Sequence, residues 1–340
     1  MMIEIEDPGP RATVQDLGRP GYAQLGVGRS GAADRGALRL ANRLVGNREG
    51  AAALELTLGG LRARFGGPAL VAVTGAPCRV ELVNNRPDAP AQDGDHQQNG
   101  SEDGDPDGSE GGERSGDGRE SGRDGGRAGA GAGGDRLSSR LGDGGMDAPF
   151  LVQAGQTLSI GTPSQGLRTY LAVRGGIDVP AVLGSRSTDT LSGIGPAPLT
   201  RGMTLEVGRE TVAFPNADLA VERRPPADAP FAIRLGPREE WFTPQAISVL
   251  TSVAYTVRPE TDRVGARLDG PVLDRRRPEE LRSEGMVLGA LQVPPDGRPI
   301  LFLADHPVTG GYPVVAVLRA DCLDRAAQLR PGDTVRFRLG

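Results

Sequence analysis

The sequence predicts a mainly β protein with a few short helices, organised in two domains. Short apolar runs rich in Val, Ile, Leu and Phe recur along most of the chain, separated by turns that contain Gly or Pro. This pattern is typical of buried and half-buried strands. A second observation is a recurring sequence, Gly-x-Thr-(Leu/Val)-x-(Ile/Val/Phe), which starts at Gly155, Gly202 and Gly332 and places a tight turn before a strand. The third is the length of 340 residues, which is enough for two domains.

The last two copies of this recurring sequence indicate where the domains end. We expect a first domain over residues 1–215, a polar and Pro-rich linker over 216–230, and a second domain over 231–340. The copy at Gly202 then closes the first domain, and the copy at Gly332 closes the second.

Within the first domain, the N-terminal MIEIE predicts a strand that ends at the Pro-Gly-Pro sequence of residues 8–10. A helix follows Asp34, which is a good N-cap, and Gly46 ends that helix. The segment 53–65, ALELTLGGLRARF, has two alternating runs around a Gly-Gly pair and predicts a hairpin. Glu55 lies in the first of these runs, where a carboxylate on the polar face of a strand is usually solvated.

The second domain opens with a strand, FAIRL. Thr243 and Pro244 then provide the N-cap and first residue of a helix over residues 245–250. Trp241 and Phe242, just before this helix, are expected in the core. Pro295, Asp296 and Gly297 predict the turn of a hairpin, and a final helix is expected over residues 321–329.

Residues 86–147 differ in composition from the rest of the chain. Between Asp93 and Gly145 there are 13 acidic residues and 6 arginines, and Gly makes up about a third of the segment. Such a composition cannot bury enough apolar surface to offset the entropy of ordering, so we predict a disordered insertion between two strands of the first domain. Outside it the net charge is close to zero, which argues against nucleic acid as a partner.

The basic residues exclude several kinds of chemistry, because all 39 of them are Arg and the chain has no Lys. A phosphate-loop lysine, a Schiff-base lysine and a lysine that carries covalently attached biotin are therefore absent from this chain. Cys78 and Cys322 indicate neither a disulfide framework nor a metal site. The chain shows no secretory leader and no membrane-spanning stretch, so we expect a cytoplasmic protein that does not bind membranes.

The segment 301–318, LFLADHPVTGGYPVVAVL, is the strongest candidate for chemistry. Two apolar runs flank a loop whose side chains can donate, accept or titrate, and whose Gly pair allows close approach to a ligand. Asp305, His306 and Tyr312 are the candidate catalytic residues, with Thr309, Gly310 and Gly311 as candidate substrate-binding residues. The alternative is an ordinary hairpin loop whose polar side chains satisfy their own backbone.

Arginines beside Gly-rich turns form a second group of candidates. Without Lys, an anionic substrate has to be bound by guanidinium groups and backbone amides. The candidate anion-binding residues are Arg19, Arg186 and Arg263, together with Asp16 and Asp262 as carboxylates that orient the arginines. The alternative is that these pairs are structural ties between turns.

Eight segments between residues 13 and 321 together resemble a known family, the biotin-dependent carboxyltransferase or allophanate hydrolase subunit 2-like family. The segments, in chain order, are TVQDLGRPGYAQLGV, SGAAD, ANRLVGN, LELTLGG, YLAVRGGIDVPAVLGSRST, TDRVGARLDG, SEGMVLGALQVPPDGRPI and ADHPVTGGYPVVAVLRAD. They run in order from Thr13 to Asp321, on both sides of the acidic insertion, which members of the family usually lack. The family includes the C subunit of 5-oxoprolinase, the Kip antagonist protein and part of the carboxyltransferase domain of urea carboxylase.

This resemblance implies two cyclophilin-like β-barrel domains and a role within a complex. The implied activity is hydrolysis of 5-oxoproline to glutamate with ATP as cofactor, where ATP is bound mainly with a partner chain. The implied partners are a Kip inhibitor-like (allophanate hydrolase subunit 1-like) subunit and a LamB/YcsF-like subunit. Two alternatives stay open, namely transfer of CO2 from carboxybiotin to a urea-like amide, and a regulatory binding protein without catalysis.

Overall fold

The computed structural model describes residues 1–84, 145–213, 219–220, 228–277, 279 and 281–340. Most of the predicted acidic insertion and most of the predicted linker therefore lie outside the described residues. Residues 145–147, which the composition assigns to the insertion, belong to the described chain. Met146 forms a parallel bridge with Val73, and the Asp147 amide donates to the Val73 carbonyl at 2.8 Å.

The predicted fold class is confirmed, because strands in four sheets dominate the described part of the chain and the helices are short. One sheet contains β1 (Met2–Pro8), β4 (Leu61–Phe65), β6 (Val80–Asn84), β8 (Gln156–Ile160), β10 (Ile177–Asp178) and β11 (Thr204–Val207). A second contains β2 (Arg11–Gln15), β3 (Ala53–Thr57), β5 (Ala69–Gly75), β7 (Pro149–Val152) and β9 (Arg168–Val173). Their strand orders are β10–β11–β1–β4–β8–β6 and β2–β3–β9–β5–β7, and all neighbours within them are antiparallel.

These two sheets enclose one apolar core in the first half of the chain (residues 1–213). Ile3 and Leu158 from the six-stranded sheet and Leu54 and Leu171 from the five-stranded sheet are among its buried members. The other face of the five-stranded sheet, which carries Tyr170, packs against helix α1 (Arg35–Leu44). The alternation of residues along each strand therefore supplies two buried faces.

The second half (residues 228–340) is built on a third sheet of eight strands. They are β12 (Phe231–Leu235), β13 (Tyr255–Val257), β14 (Gly265–Asp269), β16 (Ala290–Gln292), β17 (Ile300–Phe302), β19 (Val314–Leu318), β20 (Thr334–Val335) and β21 (Phe337–Leu339). Their order is β20–β13–β14–β17–β16–β19–β12–β21. The strands at the two edges, β20 and β21, are separated in the sequence by Arg336 alone, which brings the two edges together in a barrel-like sheet around the main apolar core of this half. A small fourth sheet pairs β15 (Glu284–Gly285) with β18 (Thr309–Gly310).

The helix signals are mostly confirmed. The side chain of Asp34 accepts a hydrogen bond from the Ala37 amide at the start of α1. Thr243 caps helix α2 (Pro244–Ser252), and Trp241 and Phe242 are buried, as predicted. The last predicted helix is shorter than expected, because a 3₁₀ turn at Ala320–Cys322 precedes the four-residue helix α3 (Leu323–Ala326).

Two hairpin interpretations are wrong. The chain crosses from β3 in one sheet to β4 in the other through Leu58, Gly59 and Gly60, which all have positive φ. The local sequence shows that a turn occurs there, but it does not show that the flanking strands pair. In the same way, β17 and β19 both pair with β16 and not with each other, so the loop after Ala304 is not a hairpin loop. The predicted turn at Pro295–Gly297 does connect paired strands, β16 and β17.

Candidate functional site

The candidate residues fall into a buried charged layer and an exposed loop. The buried layer contains two arginines and two carboxylates, Arg168, Arg263, Glu55 and Asp305, each of which is 1 % exposed. Glu55 and Arg168 come from the first half of the chain, and Arg263 and Asp305 from the second. The layer therefore joins the two halves through charged side chains.

Glu55 accepts hydrogen bonds on both carboxylate oxygens. Its Oε1 accepts from Arg263 Nη1 and lies 3.5 Å from Arg168 Nε. Its Oε2 accepts from the hydroxyl of Tyr170 at 2.7 Å and from the amide of Ala33 at 2.9 Å. Our expectation that this carboxylate is solvated is therefore wrong.

Arg263 links Glu55 to Asp305. Its Nε donates to Asp305 Oδ2 at 2.8 Å, and its Nη2 donates to Asp305 Oδ1 at 3.1 Å and to the carbonyl of Gly31 at 2.6 Å. With Nη1 on Glu55, every nitrogen of the guanidinium already has an acceptor within the protein. Arg263 is thus occupied as a tie between segments, which is the alternative that the sequence left open.

Asp305 gathers loops from both halves of the chain. Besides Arg263, its carboxylate accepts from Ser30 Oγ at 2.6 Å, from the Thr190 amide at 2.9 Å and from Thr190 Oγ1 at 2.7 Å. The backbone amide of Asp305 also donates to the Arg263 carbonyl at 2.9 Å. These bonds fix the start of the loop that carries His306 and Tyr312.

The charges of Glu55, Asp305 and Arg263 stabilise one another. Burial alone would raise the pKa of Glu55, but Arg263 and Arg168 outweigh burial and hold this pKa below its usual value. Burial would likewise raise the pKa of Asp305, and the neighbouring Arg263 lowers it. For Arg263, burial lowers the pKa, but Glu55 and Asp305 more than compensate, so the net shift is upward. All three groups are charged at neutral pH.

Asp16 and Arg19 lie in a second buried cluster but do not bond to each other. The Asp16 carboxylate accepts from Ser185 Oγ at 2.6 Å, from Ser187 Oγ at 2.5 Å and from the Arg186 amide at 2.6 Å. The Arg19 guanidinium donates to the Ser187 carbonyl. The prediction that Asp16 orients Arg19 is therefore wrong, and both side chains fix the turn at residues 185–187. The guanidinium of Arg186 reaches the surface, where it bonds to Asp178 at 3.1 Å.

Asp262 does not orient Arg263 either. Its carboxylate accepts from the amides of Val264 and Gly265, at 2.8 and 3.1 Å, and so stabilises its own turn. The role of orienting Arg263 belongs instead to Asp305 and Glu55.

His306 is half-buried, between the buried charged layer and the exposed end of the loop. Its Nδ1 lies 2.8 Å from the carbonyl oxygen of Pro307. A carbonyl only accepts, so Nδ1 carries the hydrogen in this contact and a neutral ring keeps its lone pair on Nε2. Burial lowers the pKa of His306, although the Pro307 carbonyl and Asp305 partly oppose this shift. A neutral ring with Nε2 as acceptor is the form required of a general base.

Tyr312 is the exposed end of this loop, with 42 % of its surface accessible. Its backbone carbonyl accepts from Gln292 Nε2 at 3.1 Å, and the guanidinium carbon of Arg275 lies 5.9 Å from the centre of its ring. Arg275 donates through Nη2 to the Val293 carbonyl. The guanidinium of the half-buried Arg275 thus lies over the ring of the exposed Tyr312, and both groups carry donors that suit an anion.

Thr309 and Gly310 form β18, which pairs with β15 beside Tyr312. Thr309 is exposed, and a side chain at Gly310 would meet Gln292 Nε2 at 2.6 Å. The lack of a side chain at Gly310 therefore lets the loop pack closely on Gln292. Gly311 is half-buried and a side chain there would make only an ordinary contact, so its place in the loop has no comparable steric reason.

Sequence reasoning missed several residues of this arrangement: Glu55, Arg168, Tyr170, Gln292, Arg275, Ser30 and Thr190. Glu55, Arg168 and Tyr170 lie on neighbouring strands β3 and β9, where the register pairs Glu55 with Tyr170. A polar residue inside an otherwise apolar strand is the one local signal that could have found Glu55. Within the described residues, no group of His, Cys, Asp and Glu side chains could hold a metal ion. No helix of that part of the chain is long and apolar enough to cross a membrane.

This fold and site define a mainly β protein whose two halves are joined by a buried charged layer next to the loop of the candidate site. The chain belongs to the family described as carboxyltransferase domain, subdomain A and B, whose model matches residues 25–98 and 130–339. The resemblance drawn from the sequence is therefore confirmed.

Comparisons with individual proteins agree with this family. The chain is 32% identical to the C subunit of Escherichia coli 5-oxoprolinase over 99% of its own length and 90% of that protein. It is 29% identical to urea amidolyase of Lachancea kluyveri over 98% of its length, but spans only 17% of that enzyme. The crystal structure of TTHA0988 superposes with a TM-score of 0.73 at 30% identity, covering 99% of this chain and 55% of that one.

Proposed function

We propose that this chain is the C subunit of an ATP-dependent 5-oxoprolinase, which opens the lactam of 5-oxoproline to give glutamate. The observation that carries this proposal is similarity along whole chains: the alignment covers 99% of this chain and 90% of the Escherichia coli protein. The alignment with urea amidolyase, by contrast, covers only 17% of that enzyme, so the C subunit of 5-oxoprolinase is a relative that this chain matches along nearly its whole length.

The arrangement of the site supports a division of labour in this reaction. A lactam is a stable amide, and its opening with ATP requires proton transfer and stabilisation of phosphate charge. His306 is suited to accept a proton on Nε2. Tyr312, with Thr309 and the adjacent Arg275, is suited to bind an anionic group of the substrate. Asp305 and Arg263, both buried, fix the start of this loop through their hydrogen bonds.

The proposed partners are a Kip inhibitor-like subunit and a LamB/YcsF-like subunit. This chain spans 55% of the TTHA0988 chain, so a protein of this fold occurs joined to a second part of comparable size. We propose that in the present protein the corresponding part is a separate chain and that ATP is bound mainly there. With arginine as the only long cationic side chain, the contribution of this protein to phosphate binding has to come from guanidinium and amide groups.

Co-expression with the two proposed partner subunits tests the function. The purified complex should release phosphate and glutamate only when both ATP and 5-oxoproline are present, and this chain alone should release neither. The complex with Tyr312→Phe is the matched control for contaminating ATPase activity, and we expect it to fold because Tyr312 is exposed and is held through its backbone carbonyl. Robust turnover by the single chain, or none by the complete complex, would contradict the proposal.

Carboxyl transfer from carboxybiotin to a urea-like amide is a second candidate, because the chain also aligns over 98% of its length with urea amidolyase. In that case another chain has to supply biotin, since no lysine is available here to carry it. Urea-dependent loss of the carboxyl group from a supplied carboxybiotin carrier would favour this reaction. A complex that forms but turns over neither substrate would favour a regulatory binding protein.

A further inference from the structure

Glu55 is a buried carboxylate that our proposed reaction does not use directly. It lies in the middle of β3, is 1 % exposed, and has all its contacts within the protein. It therefore cannot contact substrate in this structure. Its partners nevertheless include Arg263, which belongs to the other half of the chain.

A continuous series of hydrogen bonds leads from Glu55 to the proposed site. Glu55 binds Arg263 Nη1, and Arg263 binds both carboxylate oxygens of Asp305. Asp305 in turn holds Thr190, and it directly precedes His306 in the chain. Arg263 is therefore connected to the His306 loop by its two hydrogen bonds to Asp305 and by the peptide bond from Asp305 to His306. A displacement of Arg263 would move this loop through Asp305.

The positive and negative charges of the buried layer are equal in number only when Glu55 is present. Arg168 and Arg263 carry two positive charges, and Glu55 and Asp305 carry two negative charges, all in a region without access to water. Without the charge of Glu55, Asp305 is the one carboxylate that the structure places in contact with Arg263. A guanidinium drawn further toward Asp305 competes with Ser30 and Thr190 for its oxygens.

We propose that Glu55 is a positioning residue, which holds Arg263 so that Asp305 can fix the His306 loop against Ser30 and Thr190. Its influence on turnover is indirect and rests on the proposed function, whereas its influence on the geometry of the loop does not. The expected consequence of neutralising Glu55 is a folded protein with a displaced His306 loop.

The test uses Glu55→Gln in a His96→Gln background, in which His306 is the sole histidine. The proton NMR signal of the imidazole Cε1–H then reports on the loop without any need for activity. We expect this signal to be displaced from its position in the His96→Gln parent. In the assembled complex, we expect kcat to fall by about tenfold to a hundredfold, as misplacement of a reacting group does, with the KM for ATP unchanged. A displaced signal with unchanged turnover would keep the positioning role and contradict the proposed part of His306 in proton transfer, whereas a wild-type complex without 5-oxoproline turnover would contradict the proposed function.

Asn47→Ala is the matched control. Asn47 is also buried and polar, and it bonds to Asn42, the Val173 carbonyl and the Gly175 amide in the same half of the chain. It lies in a network that shares no residue with the series from Glu55 to Asp305. We expect a lower melting temperature and an unchanged His306 signal. A shift in Asn47→Ala equal to that in Glu55→Gln would overturn the proposal, because the signal would then report lost stability alone.

Thr190→Val covers the case in which Glu55→Gln does not fold. This change removes one hydrogen bond to Asp305 at the other end of the series and leaves all four charges in place. We expect a smaller displacement of the same signal. An unchanged His306 signal in Thr190→Val, or in a folded Glu55→Gln, would overturn the proposal.

Discussion

Asp305 and Tyr312 lie in one short segment of the sequence, yet their surroundings in the structure are opposite. Asp305 is 1 % exposed, and its carboxylate accepts from Arg263, Ser30 and Thr190. Tyr312 is 42 % exposed and is held through its backbone carbonyl and by the stacking of Arg275 on its ring. One end of the loop is therefore fixed by a saturated set of bonds, while the other end keeps a free functional group.

This difference separates two roles that a single motif can combine. A side chain whose hydrogen-bonding capacity is used inside the protein contributes to stability and geometry. A side chain that keeps a donor or acceptor at the surface can contact a ligand. The comparison therefore predicts that changes in the buried layer alter stability first, and that changes in the exposed loop alter activity at constant stability.

The largest expected effect is that of Arg263→Gln on stability. Removal of this guanidinium leaves Glu55 and Asp305 buried with less positive charge to balance them, and breaking a buried pair from one side costs about 3–5 kcal/mol. Urea denaturation of the isolated chain measures this loss. The control is Arg64→Gln, which removes an exposed pair with Glu4 and should leave the midpoint nearly unchanged. Equal urea midpoints for the two variants would contradict the prediction that the buried charged layer contributes to stability and the exposed ion pair does not.

The next effect in size is that of Tyr312→Phe on activity. Loss of the phenol removes one hydrogen-bond donor to the substrate or to a proton in transfer, which typically costs about a hundredfold in turnover. The melting temperature should stay constant, because no hydrogen bond of the phenol oxygen contributes to the described fold. Turnover of 5-oxoproline by the complex and thermal melting of the same preparations test both statements together. A loss of activity that merely parallels a lower melting temperature would place Tyr312 in the structural layer instead.

The sequence predicted the fold class well, because the fold class depends on local patterns. Apolar runs between Gly and Pro turns identify strands, and Asp34 and Thr243 identify helix starts through one side-chain hydrogen bond each. Pairing is not local, which is why the Gly59–Gly60 turn was wrongly interpreted as a hairpin. The role of Glu55 depends on Arg263, more than two hundred residues away in the chain, and no local pattern reports such a partner.

The same limit applies to the carboxylate–arginine pairs. Asp16 with Arg19 and Asp262 with Arg263 are close in sequence, so pairing between them was the simplest expectation. In the structure, the carboxylates of Asp16 and Asp262 accept from backbone amides and hydroxyls of nearby turns. Arginine, with its longer side chain, reaches acceptors in other segments. Proximity in the sequence therefore predicted the turns correctly but not the partners of the arginines.

A smaller effect on stability is expected at a second contact between the halves, where Asp324 of the second half caps α1 of the first. Its carboxylate accepts from the amides of Arg35 and Gly36, at 2.9 and 3.1 Å. Asp324→Ala removes both bonds and a negative charge at a helix N-terminus, which costs about 1 kcal/mol. Asp321→Ala, which removes an exposed partner of Arg319 from the preceding turn, is the control. If the two variants unfold at the same urea concentration, the contact between the halves does not contribute at this point.

The smallest expected effect is the contribution of His306 to the pH dependence of the free energy of unfolding. This effect distinguishes a half-buried His306 from a fully exposed one. Burial lowers the pKa of His306 in the folded protein, so on acidification the unfolded chain takes up a proton before the folded chain does. The contribution of His306 is therefore fully present above the ordinary histidine pKa of about 6.5 and is lost as the pH falls through the lower folded value. Wild type should lose more stability than His306→Gln between about pH 8 and pH 5, as measured by urea denaturation at both pH values. His96 is present in both proteins, so its titration cancels in the difference. An equal loss of stability in the two proteins would mean that His306 is solvated as freely as Tyr312 and is not half-buried.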